Sequence, residues 1–223
     1  IESELMAENG AFYSALDADS DGEEGKFYVW NETELKLFIR DDFEIFKDYY
    51  NVNSKGLWEH GNYILLIKKT KKQIAKKHKI TITHLEDKII NWKAILMKER
   101  DKRIRPGLDD KSLTSWNGLM LKGYIDSYMA FGDKKHLKVA LKNAKFIVEA
   151  QMQADGKLWH SYKNGRSTIN AYLEDYAIVS AAFIRLYEAT FDEIWLSRAE
   201  QLVGYALEYF YDKNSGMFYF TSS

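Results

Sequence analysis

The stretch YMAFGDKKHLKVA at residues 128–140 is echoed by YEATFDEIWLSRA at residues 187–199. A shift of 59 residues lays Tyr128 on Tyr187, Ala130 on Ala189, Asp133 on Asp192, Leu137 on Leu196 and Ala140 on Ala199. A fixed period of this size marks a repeat architecture. Before each stretch lies a run that is apolar around most of a helix: NGLMLKGYIDSYMAF at 117–131, and residues 172–190, where 176–187 hold one charge, Arg185. After each comes a striped helix, with Leu137, Ala140, Leu141, Ala144, Ile147 and Val148 in 134–152, and Leu196, Ala199, Val203, Ala206, Leu207 and Phe210 in 193–211. A Gly-led aromatic strand follows each, GKLWHSY from Gly156 and GMFYFT from Gly216. A helix apolar all round must be enclosed, whereas a striped helix lies at the surface. Stacked hairpins of this kind predict an all-α fold: an (α/α) toroid with enclosed helices inside and striped helices outside, and short β-hairpins on the connections. A straight α-solenoid is the alternative. The repeats span about 112–170 and 171–223.

Composition agrees. Of 223 residues, 46% are hydrophobic, 29% charged and 15% aromatic, and the single proline leaves long helices uninterrupted. Lys and Arg number 32 against 33 Asp and Glu, a balance that argues against a nucleic-acid or anionic-membrane partner. The absence of Cys excludes disulfides, thiol catalysis and Cys-based zinc sites. No apolar run approaches the ~18 residues of a membrane span, and no signal-like segment opens the chain, which fits a cytoplasmic protein. The start at Ile1 reads as that of a fragment, a partial ring forming one domain over residues 1–223.

The N-terminal part is less regular, with an irregular insertion at about 40–85. GKFYVW at 25–30 reads as a third Gly-led strand, Asn31 with Glu34 as a capping box, and residues 42–50 as a short helix. Residues 62–67, NYILLI, read as a strand. Seven Lys without an acid in 68–79 read as a solvated helix face.

In a toroid the inner helices run parallel, so the connections that feed them share a rim. That rim gathers Asp17, Asp19, Asp21, Glu23, Glu24, Asp109, Asp110, Glu174 and Asp175 with Tyr28, Trp30, Trp116, Trp159, His160, Tyr162, Tyr172 and Tyr176. Rings stack on the C–H faces of a sugar and carboxylates accept from its hydroxyls. Paired carboxylates also hydrolyse glycosidic bonds. Acids at helix starts equally serve as caps, and the positive dipole end makes them better acceptors than acids. Glu23 or Glu24, on a loop beside aromatic residues, is the better general-acid candidate, and Glu24, Asp17 and Asp175 are the catalytic candidates. Asp19, Arg105, Asp109, Asp110, Trp116, Asn117, Trp159, His160, Glu174 and Tyr176 are the substrate-binding candidates. Asp17, Asp19, Asp21 and Gly22 have the spacing of half a calcium loop, but Tyr28 stands where that loop needs Glu. No zinc, P-loop or dinucleotide motif is present, so no metal or cofactor is expected.

Three long motifs carry a resemblance: DADSDGEEGKFYVW at 17–30, RPGLDDKSLTSWNGLM at 105–120 and YLEDYA at 172–177. Together they resemble the YyaL-type, thioredoxin-domain-containing, spermatogenesis-associated family, over nearly the whole chain. The resemblance implies a six-hairpin glycosidase-like toroid preceded, in full members, by a thioredoxin-like domain. It is similar to the toroids of sugar 2-epimerases and glycoside hydrolases. The expected function is carbohydrate binding or processing, hydrolase-like or epimerase-like, with a saccharide as ligand. The alternative is a non-catalytic interaction scaffold attached to a redox domain.

Overall fold

A computed structural model describes residues 1–222. Among them the helices are α1 (Glu32–Ile39), α2 (Phe43–Tyr49), α3 (Lys71–His78), α4 (Ile82–Arg100), α5 (Thr114–Phe131), α6 (Lys134–Phe146), α7 (Leu173–Thr190) and α8 (Glu193–Tyr209). Short strands punctuate them: β1 (Ala15–Leu16), β2 (Asp19–Ser20), β3 (Glu23–Glu24), β4 (Trp30–Asn31), β5 (Asn62–Tyr63), β6 (Leu108–Asp109), β7 (Ser112–Leu113), β8 (Trp159–Lys163), β9 (Arg166–Asn170), β10 (Tyr211–Asp212) and β11 (Met217–Phe218). The fold is all-α, built of helical hairpins with short β-hairpins on the connections.

The sequence reads as one domain, but the chain packs as two compact units, each with a hydrophobic core of its own. Unit 1 is Ile1–Leu16 together with the chain from Leu108 on, and unit 2 is Asp17–Gly107.

Unit 1 holds the two hairpins α5–α6 and α7–α8. Ser115 N donates to Asp175 Oδ1 at 2.8 Å, and three turns further on Arg185 Nε donates to Asp126 Oδ1 at 2.7 Å. Those two bonds fix α5 and α7 as parallel neighbours, in the register of the 59-residue echo. Asp133 and Asp192 accept from Lys135 N and Ile194 N and so cap the second helix of each hairpin. Leu121, Ile125, Ala140, Ala144, Val179, Phe183, Leu186, Ala199 and Leu202 fill the core between them. α6 ends in a π-turn, Ile147–Gln151, where the sequence had suggested continuous α-helix.

The Gly-led connections repeat, but the earliest begins at Gly10. Residues 6–14, MAENGAFYS, lie over residues 152–160, MQADGKLWH, without a gap. Ala7 N bonds Ala11 O as Gln153 N bonds Lys157 O, and Ala11 N bonds Asn9 Oδ1 as Lys157 N bonds Asp155 Oδ1. Gly10 (φ +96°) packs on the backbone carbonyl of Lys142, and Gly156 (φ +90°) on that of Gln201, one repeat later. A Cβ at either would stand 2.6 or 2.7 Å from that oxygen, so glycine is dictated twice over. Residues 25–30 do not form the expected strand. Gly25 and Tyr28 instead close a turn, Tyr28 N to Gly25 O, and Trp30 and Asn31 pair with Tyr63 and Asn62.

The β8–β9 hairpin shows where unit 2 enters the chain. Ser161 pairs with Thr168, and Lys163 with Arg166, around Asn164 and Gly165, both at positive φ as a type I′ turn requires. In the earlier copy Ala15 pairs with Asp109 and Leu16 with Leu108. Asp17 and Gly107 then stand at the equivalents of Lys163 and Arg166, Asp17 N donating to Gly107 O at 2.7 Å. Unit 2 replaces a two-residue turn.

Within unit 2, α1 starts with the expected capping box of Asn31 and Glu34. Leu35, Phe46, Ile74, Leu85 and Trp92 are fully buried. Of the expected strand at 62–67 only Asn62–Tyr63 pairs. α3 buries Ile74 and Ala75 and exposes its lysines. Asp48 is held between Lys77, His78 (2.7 Å) and Lys69 (3.6 Å). Burial pushes its carboxyl up, but bonds from Lys77 and His78 outweigh it and hold it below the usual value. No helix among the described residues is long and apolar enough to cross a membrane.

Candidate functional site

The site of unit 1 is organised by one carboxylate. Asp175, in the first turn of α7, is completely buried. Its Oδ1 accepts from Ser115 N, and its Oδ2 accepts from Tyr172 N (2.9 Å) and pairs with His160 Nδ1 (2.9 Å). The first two bonds have a local cause. The first N–H groups of a helix have no partner within the helix. The N-cap of α5 is Leu113, which offers no side-chain cap, so a residue of the next repeat supplies it. The same carboxylate reaches back to Tyr172, the N-cap of its own helix.

The third bond does something a cap does not need. A carboxylate that already accepts two backbone N–H groups accepts from His160 as well. His160 Nδ1 therefore carries the hydrogen, and in the neutral ring Nε2 keeps its lone pair. Nε2 has no hydrogen-bond partner among the described residues. The His160 side chain is 16% exposed, and Tyr172 packs against it with ring centroids 4.8 Å apart.

This geometry revises several roles. Asp175, a catalytic candidate, is sealed from solvent and accepts three hydrogen bonds, two of them from backbone N–H groups at helix starts. Asn117, a substrate-binding candidate, is buried and fully used. Its Oδ1 accepts from Phe12 N (2.7 Å) and Asn143 Nδ2 (2.9 Å), while its Nδ2 donates to Phe12 O (3.0 Å) and Leu113 O (2.9 Å). It ties the Gly10 connection to α5 and has nothing left for a ligand. Tyr176 is likewise buried; its hydroxyl accepts from Leu158 N at 2.9 Å and its ring stacks on Tyr205. Burial raises its pKa, with a smaller opposing effect from the Leu158 bond. Trp116 and Glu174 are exposed, and Trp159 is half-buried under Lys157. Asp109 is ion-paired to Lys111, which lowers its pKa, and Asp110 is paired to Lys163 at 2.5 Å.

The remaining candidates belong to unit 2. Asp19 and Glu24 are exposed cross-strand partners in the β2–β3 hairpin, and Asp17 Oδ1 accepts from Asp19 N at 3.3 Å. Glu24 lacks the apolar enclosure that suits a general acid. Lys26 bridges Glu23 (2.7 Å) and Asp21 (2.9 Å), which raises its pKa. Arg105 pairs with Asp101 at 3.0 Å and lies over the Phe27 ring. Among the described residues no group of three or more His, Asp or Glu is arranged to hold a metal ion. A cavity of about 470 Å³ in this unit is lined by Asn31, Glu34, His60, Asn62, Lys102 and Arg103, among others.

Sequence reasoning missed two features. Ser115 takes part through its backbone, which no side-chain pattern reveals. Phe220 stacks on Tyr172 (4.8 Å, 12° between planes), and its place in the GMFYFT strand, at the position of His160 in GKLWHSY, was the available signal.

No known family model matches the chain. It is 30% identical to an uncharacterised protein of Caenorhabditis elegans, over 89% of this chain and 31% of that protein. It is 26% identical to spermatogenesis-associated protein 20 of Homo sapiens and of Mus musculus, over 96% of this chain and 32% of each. The chain thus spans about a third of the length of these relatives. Among solved structures it is similar to the cellobiose 2-epimerase of Bacillus thermoamylovorans (13% identity, 97% of this chain and 54% of that one, TM-score 0.49). It is also similar to the GH76 α-mannanase of Bacteroides thetaiotaomicron (15% identity, 86% and 62%, TM-score 0.47). A sugar epimerase from a ruminal bacterium aligns over 47% of this chain and 28% of that one (18% identity, TM-score 0.45). The functional reading rests on the geometry of the site.

Proposed function

We propose that unit 1 is a carbohydrate-processing module in which His160 moves a proton through Nε2 and Asp175 holds the ring for that task. The observation that carries this reading is the buried carboxylate on His160 Nδ1, with the opposite nitrogen unpartnered. A single oriented imidazole suits proton abstraction next to a sugar carbonyl, as an epimerase requires. Two-carboxylate hydrolysis suits this unit less well, because Asp175 cannot leave its three donors, and Asp109 and Asp110 are each ion-paired. The residues that depart from the repeat support the same choice. The slot of His160 holds Ser14 in the earlier copy and Phe220 in the later, while Trp116 stands 59 residues before Asp175. Packing alone would keep these slots alike.

The test is solvent exchange at the sugar. The complete chain is incubated in deuterated water with reducing sugars, among them cellobiose, mannobiose and glucose. Deuterium is expected to enter at the carbon next to the carbonyl, and His160→Gln is expected to abolish it. Absence of both exchange and binding across the panel ends the reading. A second reading, a non-catalytic scaffold, is favoured by the apolar groove of about 450 Å³ along α7 and α8, lined by Ala177, Ala181, Ile184, Val203 and Leu207.

A further inference from the structure

The cavity of unit 2 has polar lining that the fold does not use up. All of its lining residues lie within 20–104, so it belongs to this unit alone. At about 470 Å³ it has the size of a small-molecule site. Asn31 and Asn62 stand directly opposite one another in the β4–β5 ladder, which sets such side chains roughly 5 Å apart on one face. Asn31 Oδ1 accepts from Glu34 N, and Asn31 Nδ2 has no partner among the described residues. The Asn62 amide and the His60 ring, which also line the cavity, likewise make no hydrogen bond among the described residues. Charge around them is matched. Arg103 Nη1 donates to Val29 O at 2.6 Å and to Phe27 O at 3.1 Å, while its Nη2 donates to Glu34 Oε1 at 3.3 Å. Lys26 is shared by Glu23 and Asp21, and Lys102 is paired with Glu99 at 2.6 Å. A charged ligand would therefore bring a charge with no free counterpart. Amides donate and accept, as hydroxyl groups do. Phe27, Val29 and Ile104 add apolar lining for C–H groups.

We infer that this cavity binds a neutral polyhydroxylated ligand, about one or two sugar rings in size, whose neighbouring hydroxyls bridge Asn31 and Asn62 with His60 as a third contact. This is a second site, in the other unit, and it does not rest on the His160 reading.

The experiment follows the side-chain amide signals of Asn31 and Asn62 by NMR while the isotope-labelled complete chain is titrated with glucose and with cellobiose. Both signals are expected to shift together and to saturate. Asn62→Ala is expected to raise Kd about tenfold, the effect of losing the hydrogen bonds of one amide. His60→Asn, a residue type that accepts the left-handed backbone held there (φ +53°), is expected to raise it about threefold. Both variants are expected to melt close to wild type, because neither side chain is bonded within the protein. Gluconate and glucosamine, charged relatives of glucose, are expected to bind about tenfold more weakly than glucose. His160→Gln is expected to leave the titration of the two amide signals unchanged. No shift of either amide with the neutral sugars overturns the inference. So does a Kd that Asn62→Ala leaves unaltered, or a charged relative bound as tightly as glucose. Each of these results leaves the His160 reading to its own deuterium test, so the two fail separately.

Discussion

Two hairpins of unit 1 are built to one pattern and closed in opposite ways. β8 and β9 turn on Asn164 and Gly165, whereas β1 and β6 are separated by all of Asp17–Gly107. The pairs Ser161 with Thr168 and Ala15 with Asp109 are nevertheless equivalent. What differs is only the tip, the place where a chain tolerates an insertion because no ladder bond is lost there. Unit 1 therefore repeats and unit 2 does not, and each has its own core. The comparison teaches that residues lying close in sequence need not serve one site. Leu16 and Asp17 are chain neighbours, yet they belong to different packing units.

The sharpest way to break this picture is at Asp175. Asp175→Ala strands three donors, at Ser115, Tyr172 and His160, in a place water does not reach. Leaving a buried charge-assisted network open costs roughly 3–5 kcal/mol. Chemical denaturation is expected to show that loss in the unfolding of unit 1 alone, with the signals of the Trp92 environment in unit 2 unmoved. A loss shared equally by both units would mean that they do not unfold separately. Asp175→Asn, which keeps two acceptor positions on one oxygen, is expected to lose less.

The two Gly-led connections offer a finer test. If residues 6–14 and 152–160 are true copies, Gly10→Ala and Gly156→Ala must cost similar amounts. Each puts a Cβ against a helix carbonyl, of Lys142 or Gln201, at a backbone angle that L-residues avoid. Strain and overpacking together predict roughly 2–4 kcal/mol for either. Thermal melting of the two variants side by side measures it, and a large effect at Gly156 with none at Gly10 would refute the equivalence.

The hairpin fold was legible because its period is carried by many residues at once. The echo from 128–140 to 187–199 depends on apolar spacing and on two aspartate caps, and both are local properties of a helix. The earlier copy was hidden for a physical reason. Unit 2 displaces it from the 59-residue frame, so GKFYVW at 25–30, with its Gly-led aromatic pattern, reads as the connection whose true copy is GAFYS at 10–14, leading into β1. The site was legible in part. Carboxylates at helix starts pointed to Asp175 and His160 as members of a rim, but sequence cannot tell a buried acceptor from an exposed acid. Asn117 shows the same limit. Its motif drew it into the ligand set, while its bonds to Phe12, Leu113 and Asn143 are long-range or structural ties that no spacing reveals.

The smallest expected effect is also the most telling for the two hairpins. Excising residues 18–106 and joining Asp17 to Gly107 through Asn-Gly recreates the closure of β8 and β9. Asp17 and Gly107 already make the terminal ladder bond, so the new turn inherits correctly spaced ends. The turn residues supply the two positive φ values that a type I′ closure needs. Folded unit 2 already holds the loop ends together at Asp17 and Gly107, so excision changes the entropy of closure little, and the core of unit 1 contains no residue from 17–107. The excised protein is expected to melt within a few degrees of the unit 1 transition and to keep the His160 imidazole signals of the intact chain in its NMR spectrum. Collapse of unit 1 into a molten state on excision would show that residues 17–107 hold the first hairpin in place, and that the two closures are not interchangeable.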